Sequence, residues 1–272
     1  MLGMGLSLAP QDFRRVLSYP RAAIVGLCGQ LLLLPLLAFV LALLFDAPPA
    51  IAVGAMLLAA CPGGVTSNGY VFVARGDLGL SVTLTAITSV VTILTIPLIS
   101  WFALNWFIAA NEVPDLPALS IMRRLVILTA VPIGIGMLVR RFQPGAAMRA
   151  VEIMRRISIL LLIVVIIGAT IGTWDAIVEN IWSAGILAAA LNVLSMLAGY
   201  NIARAFSLPP IQVRTITFEI GVQNLSLAVL VAVTILERSE FAILAVVYAF
   251  IMKITALTLI YIWRGPAQTS QQ

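Results

Sequence analysis

The sequence predicts an all-α, polytopic membrane protein. Of its 272 residues, 62% are hydrophobic and only 10% are charged, and the mean hydropathy is +1.11. Soluble domains carry about 25% charged residues. The long apolar runs are too continuous for a membrane β-barrel, whose strands alternate in polarity. Two of the runs are interrupted by polar residues in corresponding places, which predicts an inverted-repeat fold with two discontinuous helices.

Eight apolar segments are expected to cross the bilayer, a distance that takes about 20 helical residues. They comprise residues 20–45, 49–74, 78–108, 119–139, 156–173, 181–206, 209–236 and 240–263. The loops between them are short, so residues 1–272 are expected to form a single transmembrane domain. The apolar segment 1–8 is too short to cross, and it is expected to be the end of a span that begins outside this sequence.

The charged residues predict how the chain is oriented. Most of the arginines, among them Arg14 and Arg140, lie in loops on one side of the membrane, whereas Arg123, Arg124 and Arg238 lie on the other. Because positively charged loops stay inside, the C-terminus is expected to be cytoplasmic, in a multi-pass protein of the cell membrane. The same loops account for the net charge of +5, so a nucleic-acid partner is not expected.

The interrupted segments belong to two units with the same order of elements. Residues 20–108 form a long span, a broken span and another span, and residues 181–263 repeat that order. An odd number of predicted crossings separates the units, so they would enter the membrane from opposite sides. Broken spans in matching places of inverted repeats are typical of secondary transporters, which bind ions and substrates at the breaks.

The first break lies within residues 61–69. Pro62 lacks a backbone N–H, and the two glycines that follow it lower the helix propensity. Ser67 and Asn68 then supply side-chain oxygens. In a bilayer, unpaired backbone is tolerated only where protein buries it or where it lines a cavity, so this break is a candidate binding site.

Glu219 is the most informative residue of the second break, which covers residues 218–224. An ionised carboxylate in a span costs several kcal/mol unless it is paired or bound to a cation. Gln223 and Asn224 follow one helical turn later. Glu219 is therefore expected to bind a cation or a proton, and a salt bridge to Arg214 near a loop is the alternative.

Further polar side chains lie within the apolar segments. Ser81 and Thr85 are four residues apart and share one helix face, and Gln30 lies midway along its span. Hydroxyl, amide and carboxylate oxygens together suit a hard cation such as sodium. Taken singly, such residues more often hydrogen-bond between packed helices.

Lys253 lies within the last apolar segment, too far from its end for the ammonium group to reach water easily. A lysine at this depth is expected to meet an anionic substrate or to pair with Glu219. The sequence has no recognisable P-loop, metal-ligand spacing or acid–base pair, it has no histidine, and its two cysteines are far apart. Neither an enzyme nor a cofactor is therefore expected, and sodium is the only metal ion predicted.

Three blocks of the sequence resemble the bile acid:sodium symporter family. They are MLGMGLSLAPQDFRRVLSYPRA, CPGGVTSNGYVFVARGDLGLSVTLT and RTITFEIGVQNLSLAVL. The resemblance covers essentially the whole chain, and it implies a ten-span fold of two inverted five-helix repeats, with a core, a panel and two discontinuous helices that cross in the core. Members couple the uptake of sodium to that of organic anions, which are bile acids or smaller carboxylates.

The resemblance also assigns residues to sites. One sodium site would use Ser67, Asn68, Ser81, Thr85 and Glu219. A second would use Gln30, Glu219, Gln223 and the backbone carbonyls of Ile220 and Val222. The anion would bind at the crossover, where the candidate contacts are Thr66, Asn224 and Lys253.

By the same resemblance, the core comprises residues 20–108 and 181–263, and residues 1–8 and 119–173 are a remnant of the panel. The first block resembles the end of the family's second span, so the first span and most of the second are expected to be absent from this sequence. The predicted function is sodium-coupled symport of a small organic anion, bile-acid-like or a smaller carboxylate, by alternating access in a lipid bilayer. The alternatives are a sodium-independent or proton-coupled anion transporter of the same fold, and a non-transporting membrane sensor or inactive truncated fragment.

Overall fold

A computed structural model describes residues 2–7, 19–109, 118–147, 149–151, 153–154 and 174–264, together with the positions 157, 160, 164 and 168. The named helices of this part are α1 (Leu2–Ser7), α2 (Pro20–Leu44), α3 (Pro49–Ala60), α4 (Val65–Val73), α5 (Leu78–Phe107), α6 (Ala118–Leu125), α7 (Val131–Phe142), α8 (Trp174–Ala205), α9 (Pro210–Gly221), α10 (Leu225–Ile235) and α11 (Ile243–Arg264). Single π-helical turns lie within α2, between α6 and α7, and at the end of α10.

Within the described part of the chain, four helical stretches are long and apolar enough to cross a membrane: Pro20–Leu44, Leu78–Phe107, Val178–Ala205 and Ser239–Trp263. Each overlaps a predicted span. The all-helical, multi-pass membrane fold is therefore confirmed, whereas eight complete spans stay a prediction. The predicted span 156–173 lies almost entirely outside the described residues.

Helix α8 begins earlier than predicted, at Trp174. Its first turns contain Asp175 and Glu179, and a search for apolar runs excludes such charged residues. The helix therefore includes charged residues that precede the apolar segment as well as the segment itself.

Both predicted breaks are present, but the irregular segments are shorter than expected. Helix α3 ends where Cys61 adopts an extended backbone, and α4 begins after Gly64. Helix α9 ends before the extended Val222, and the Asn224 side chain caps α10 by accepting a hydrogen bond from the Leu227 amide at 3.1 Å. The polar side chains predicted for the first break therefore lie on the first turns of α4.

The turns that lead into the two broken spans match one another. A Pro–Pro pair starts each span, at Pro48–Pro49 and Pro209–Pro210, where the fixed φ of proline suits the first helical turn. Before each pair the preceding helix ends in a left-handed residue, Asp46 (φ 45°) or Ser207 (φ 55°), 161 positions apart (207 minus 46). In both turns the next backbone amide donates to a carbonyl in the last turn of the helix, at 3.0 and 3.1 Å, as in a Schellman motif.

The broken spans also end alike, in the left-handed residues Arg75 (φ 55°) and Glu237 (φ 57°). Here too the following amide donates back into the helix, at 2.9 and 3.0 Å. Arg75 and Glu237 are one position further apart than Asp46 and Ser207. The π turn of α10 accommodates this extra residue. The two units thus share the same order of helix ends and turns.

The two breaks contact each other in the interior of the protein. Gly63 and Gln223 form an antiparallel β-bridge, and the Asn224 amide donates to the Pro62 carbonyl at 3.0 Å. These contacts satisfy backbone groups that the interrupted helices leave unpaired, which lipid could not do. The antiparallel pairing also means that the two chain segments run in opposite directions where they meet.

Three described helices of the predicted panel remnant, α1, α6 and α7, make contacts that the structure shows. Helix α1 lies against α7, where a Cβ atom at Gly136 would be 2.6 Å from the Leu2 carbonyl oxygen. Arg124 of α6 forms an ion pair of 2.9 Å with Glu237, just after α10. The division into core and panel remains a prediction.

A close approach at Gly54 tests the packing of α3. A Cβ atom there would lie 2.6 Å from the Phe241 carbonyl oxygen, which belongs to the backbone and cannot move aside easily. We expect Gly54→Ala to lower the free energy of unfolding by about 1–3 kcal/mol through overpacking. The midpoint of thermal unfolding in detergent measures the change.

Gly185→Ala in α8 is the matched control, because a Cβ atom at Gly185 meets nothing within 4 Å. This substitution should leave the midpoint unchanged or raise it, since alanine favours the helix. Equal midpoints for Gly54→Ala and the wild type would contradict the described packing of α3.

Candidate functional site

Glu219 is the centre of a buried polar cluster where the two breaks meet, and the residue is only 3% exposed. Three hydroxyl groups donate hydrogen bonds to its carboxylate. Ser67 reaches Oε1 at 2.8 Å, Ser81 reaches Oε1 at 2.5 Å and Thr85 reaches Oε2 at 3.0 Å. Because Ser67 is on α4, Ser81 and Thr85 are on α5 and Glu219 is on α9, the carboxylate joins three helices from both units.

The cluster contains more acceptor oxygens than protons. The Ser81 hydroxyl is 2.5 Å from the Glu219 carboxylate and 2.6 Å from the Asn68 amide oxygen. The Ser67 hydroxyl is 2.7 Å from the Gly64 carbonyl oxygen and 2.8 Å from the same carboxylate. A hydroxyl has one proton, so each can donate to only one of its two acceptors at a time. Oxygen groups crowded in this way suit a hard cation.

Among the residues that the structure describes, no arginine or lysine forms an ion pair with Glu219. Arg214, the alternative partner in the sequence analysis, instead donates to the Ala74 carbonyl at the end of α4, at 2.9 Å. Its guanidinium also lies over the Trp263 ring, 5.8 Å from the centroid. That salt bridge is therefore not formed, because Arg214 is engaged by the end of α4.

Gly63 brings the first break close to the carboxylate. A Cβ atom at this position would lie 2.5 Å from Oε2 of Glu219 and 3.4 Å from the Ser67 hydroxyl. Only glycine allows the backbone to approach a side chain so closely. The glycine of the break thus serves the site as well as interrupting the helix.

A second cluster adjoins the first and consists of amides and carbonyls. Gln30 on α2 donates from Nε2 to the Cys61 carbonyl at 2.8 Å and to the Gln223 amide oxygen at 2.9 Å. Gln223 donates in turn to the Ile220 carbonyl at 2.7 Å. The two glutamines are buried, and Val222 follows with an extended backbone. Of the groups predicted for the second site, Gln30, Gln223 and the Ile220 carbonyl are thus brought together at the ends of α3 and α9.

The three residues predicted to contact an anion are placed differently. Thr66 is exposed on the first turn of α4, and Asn224 is partly buried at the start of α10. Lys253 is exposed on the side of α11 that carries Phe250 and Ile254, and it does not pair with Glu219. Its depth in the sequence therefore did not imply burial, because the helical repeat turns this side chain away from the helix face packed on the core.

The sequence analysis missed two residues that hold the end of α9. Asn192 on α8 and Tyr248 on α11 both donate to the Gly221 carbonyl, at 2.9 and 2.8 Å, and both are 0% exposed. An isolated asparagine in an apolar span was a visible signal, of the same kind as Gln30. The 161-residue spacing of the Pro–Pro pairs places the counterpart of Gln30 at position 191, next to Asn192.

The fold and the site together define a class of protein: a multi-pass helical membrane protein with two interrupted helices that meet around a buried, oxygen-rich centre. Residues 1–180 match the sodium bile acid symporter family. The chain belongs to that family. Relatives with printed functions are described as transporters and not as enzymes, in agreement with the expectation from the sequence.

Three relatives illustrate the range of the family. An uncharacterized sodium-dependent transporter of Bacillus subtilis is 30% identical over 237 residues, which is 85% of this chain and 70% of the relative. A probable chloroplastic sodium/metabolite cotransporter of Arabidopsis thaliana is 28% identical over 98% of this chain and 65% of the relative. Sodium/bile acid cotransporter 4 of Homo sapiens is 29% identical over 84% and 52% respectively. The chain thus spans between about half and 70% of the length of these relatives.

Gly63→Ala tests whether the first break must approach Glu219. The added methyl group would displace the carboxylate from the three hydroxyls, so we expect a loss of about 1–3 kcal/mol in the free energy of unfolding. Thermal unfolding of the purified protein measures this change.

Gly69→Ala is the control in the same half-helix, because a Cβ atom at Gly69 meets nothing within 4 Å. That variant should unfold at or above the wild-type temperature. A Gly63→Ala protein as stable as Gly69→Ala would show that the break is not packed against the carboxylate as described.

Proposed function

We propose that this protein couples the movement of sodium to that of a small organic anion, by alternating access across a membrane. The observation that carries the proposal is the environment of Glu219: a buried carboxylate with no basic partner among the described residues, surrounded by hydroxyl oxygens from two other helices. An ionised carboxylate within a membrane needs a counter-charge. Family membership and the printed names of the relatives support sodium as that charge.

One sodium ion would bind at the Glu219 cluster. Its ligands would be Ser67, Asn68, Ser81, Thr85 and Glu219. Binding would exchange hydroxyl-to-carboxylate hydrogen bonds for contacts between oxygen lone pairs and the ion, so the same side chains serve with and without sodium. Because the ligands come from α4, α5 and α9, the ion would fix these helices relative to one another.

A second sodium ion would bind beside the first and share Glu219. Its other ligands would be Gln30, Gln223 and the backbone carbonyls of Ile220 and Val222. Helices α3 and α9 both end here, and the carbonyl ends of helices carry partial negative charge. Broken helices in other transporter folds use such ends to hold cations.

The anion would bind at helix N-termini, whereas the second sodium ion would bind at helix C-termini. Helices α4 and α10 both start at the crossing, and their N-termini offer backbone N–H groups and partial positive charge to a carboxylate. Thr66 and Asn224 lie at these starts, and Lys253 is a further candidate contact. If sodium orders α4, it raises the affinity for the anion, and by linkage the anion raises the affinity for sodium equally.

Alternating access would require the core of the protein to move relative to the panel. We assign residues 20–108 and 181–263 to the core and residues 1–8 and 119–173 to the panel. The protein would lie in the cell membrane with its C-terminus on the cytoplasmic side. Of the alternatives, transport with Lys253 in place of a cation at Glu219 finds no support, because these two side chains do not pair. A non-transporting sensor or inactive fragment would differ from a symporter in the absence of anion uptake.

Two threonines on α5 provide a matched test for sodium. Thr85 and Thr88 are 1% and 2% exposed, but Thr85 donates to Glu219 whereas Thr88 donates to carbonyls of its own helix. Thermal unfolding would be measured in sodium and in choline at equal ionic strength. At a sodium concentration of 100 times Kd, we expect about 2.7 kcal/mol of stabilisation of the wild type.

Thr85→Val should lose most of this sodium-specific stabilisation, and Thr88→Val should keep it.

A series of small carboxylates is then added to the wild type, and the correct anion should stabilise it more strongly in sodium than in choline. The proposal fails if sodium and choline act alike on the wild type. If the anion stabilises the protein equally in sodium and in choline, the result favours the alternative of a sodium-independent transporter.

A further inference from the structure

The end of α9 is held by a network of hydrogen bonds, and none of the side chains in this network is a proposed ligand. The Gly221 carbonyl accepts hydrogen bonds from Asn192 and Tyr248. The amide oxygen of Asn192 accepts a hydrogen bond from the Thr255 hydroxyl at 2.5 Å, which is shorter than the distances from the same hydroxyl to the Ile251 and Met252 carbonyls of its own helix, 3.0 and 3.1 Å. Thr255 therefore leaves the Asn192 amide nitrogen facing Gly221, because the oxygen is already engaged.

Asn192 has a counterpart in the first unit. Gln30 lies on the helix before the first broken span and donates to the Cys61 carbonyl where that span is interrupted. Asn192 lies on the helix before the second broken span and donates to the Gly221 carbonyl where that span is interrupted. The two donors are 162 positions apart (192 minus 30) and the two acceptors 160 (221 minus 61). Both spacings are close to that of the matching turns.

We propose that Asn192, oriented by Thr255, is a positioning residue for the sodium sites: it fixes the Gly221 peptide and so aims the neighbouring carbonyls at the ion. Gly221 stands between Ile220 and Val222, whose carbonyls are the proposed ligands, and two positions after Glu219. The Gly221 carbonyl lies in the peptide unit between the two that carry these carbonyls, so holding it limits how far either neighbour can rotate. This inference rests on the proposed sodium site.

Asn192 acts on the ion without touching it. Its amide nitrogen and its amide oxygen both have protein partners, and it is not hydrogen-bonded to the Glu219 carboxylate, whose partners are Ser67, Ser81 and Thr85. Residues that orient metal ligands typically change the affinity for the metal by about 10–100-fold when they are replaced. The effect expected here is therefore on the affinity for sodium, in addition to any effect on stability.

The test compares variants by the sodium concentration that gives half of the maximal thermal stabilisation, in mixtures of sodium and choline at constant ionic strength. Asn192→Leu keeps the approximate size of the side chain and removes the donor to Gly221. It should raise the half-saturating concentration of sodium by about tenfold or more. Thr255→Val frees the amide to rotate and should raise it by a smaller factor, about threefold.

Two variants serve as controls on α11. Thr255→Ser keeps the hydroxyl and should restore the wild-type sodium dependence. Thr258→Val is one turn further on, where the Thr258 hydroxyl donates to the Ile254 carbonyl of its own helix, and it should leave the sodium dependence unchanged. If Asn192→Leu does not fold, Thr255→Val and its serine counterpart still decide the question.

A purely structural role gives a different result. Asn192→Leu and Thr255→Val would then unfold at lower temperature in choline while their half-saturating sodium concentration stayed at the wild-type value, and the inference would be overturned. If Thr85→Val loses the sodium response in the same assay while Asn192→Leu and Thr255→Val keep the wild-type response, the proposed function stands and this inference fails. If the wild type itself shows no sodium response, both fail together.

Discussion

The buried carboxylate of Glu219 is the constraint on which the arrangement of the two units depends. In a membrane interior its charge is costly without a counter-charge, and hydroxyls on α4 and α5 of the other unit offset part of that cost by hydrogen bonding to it. The backbone of the first break passes so close that only glycine fits at position 63. Each interrupted helix also leaves backbone groups unpaired at its break. The contact between the two breaks pairs some of these groups with each other.

The two units repeat their turns but not their chemistry. Pro–Pro pairs, left-handed turns and an amide donor at the end of the first half-helix recur at a spacing of about 161 residues. At the position that corresponds to Glu219, the first unit has Leu58, which is 0% exposed. Two carboxylates at one crossing would repel each other and raise the cost of ionisation. One unit therefore supplies the charge and the other mainly the neutral oxygens around it.

The sequence predicted the elements whose signals are local. Long apolar runs gave the helices, and Pro62 with its two glycines gave the first break, because these residues disfavour a helix in any context. The grouping of Ser67, Ser81, Thr85 and Glu219 was expected from the family resemblance and from their oxygen chemistry, and the structure brings these side chains together. Lys253 and Arg214 were harder to place. Their partners depend on the rotation of one helix against another, which periodicity in a uniformly apolar segment does not reveal.

Counting bound sodium would test the central claim most directly. Purified protein is equilibrated with radioactive sodium-22, and the bound ions per chain are measured for the wild type and for Glu219→Gln. Glu240→Gln is the control, because Glu240 lies outside the proposed sites and pairs with Arg238 at 3.2 Å. The account predicts saturable binding to the wild type that excess choline does not displace, the same binding to the control, and loss of both ions in Glu219→Gln, because the two proposed sites share this carboxylate. Undiminished sodium binding to Glu219→Gln would contradict it.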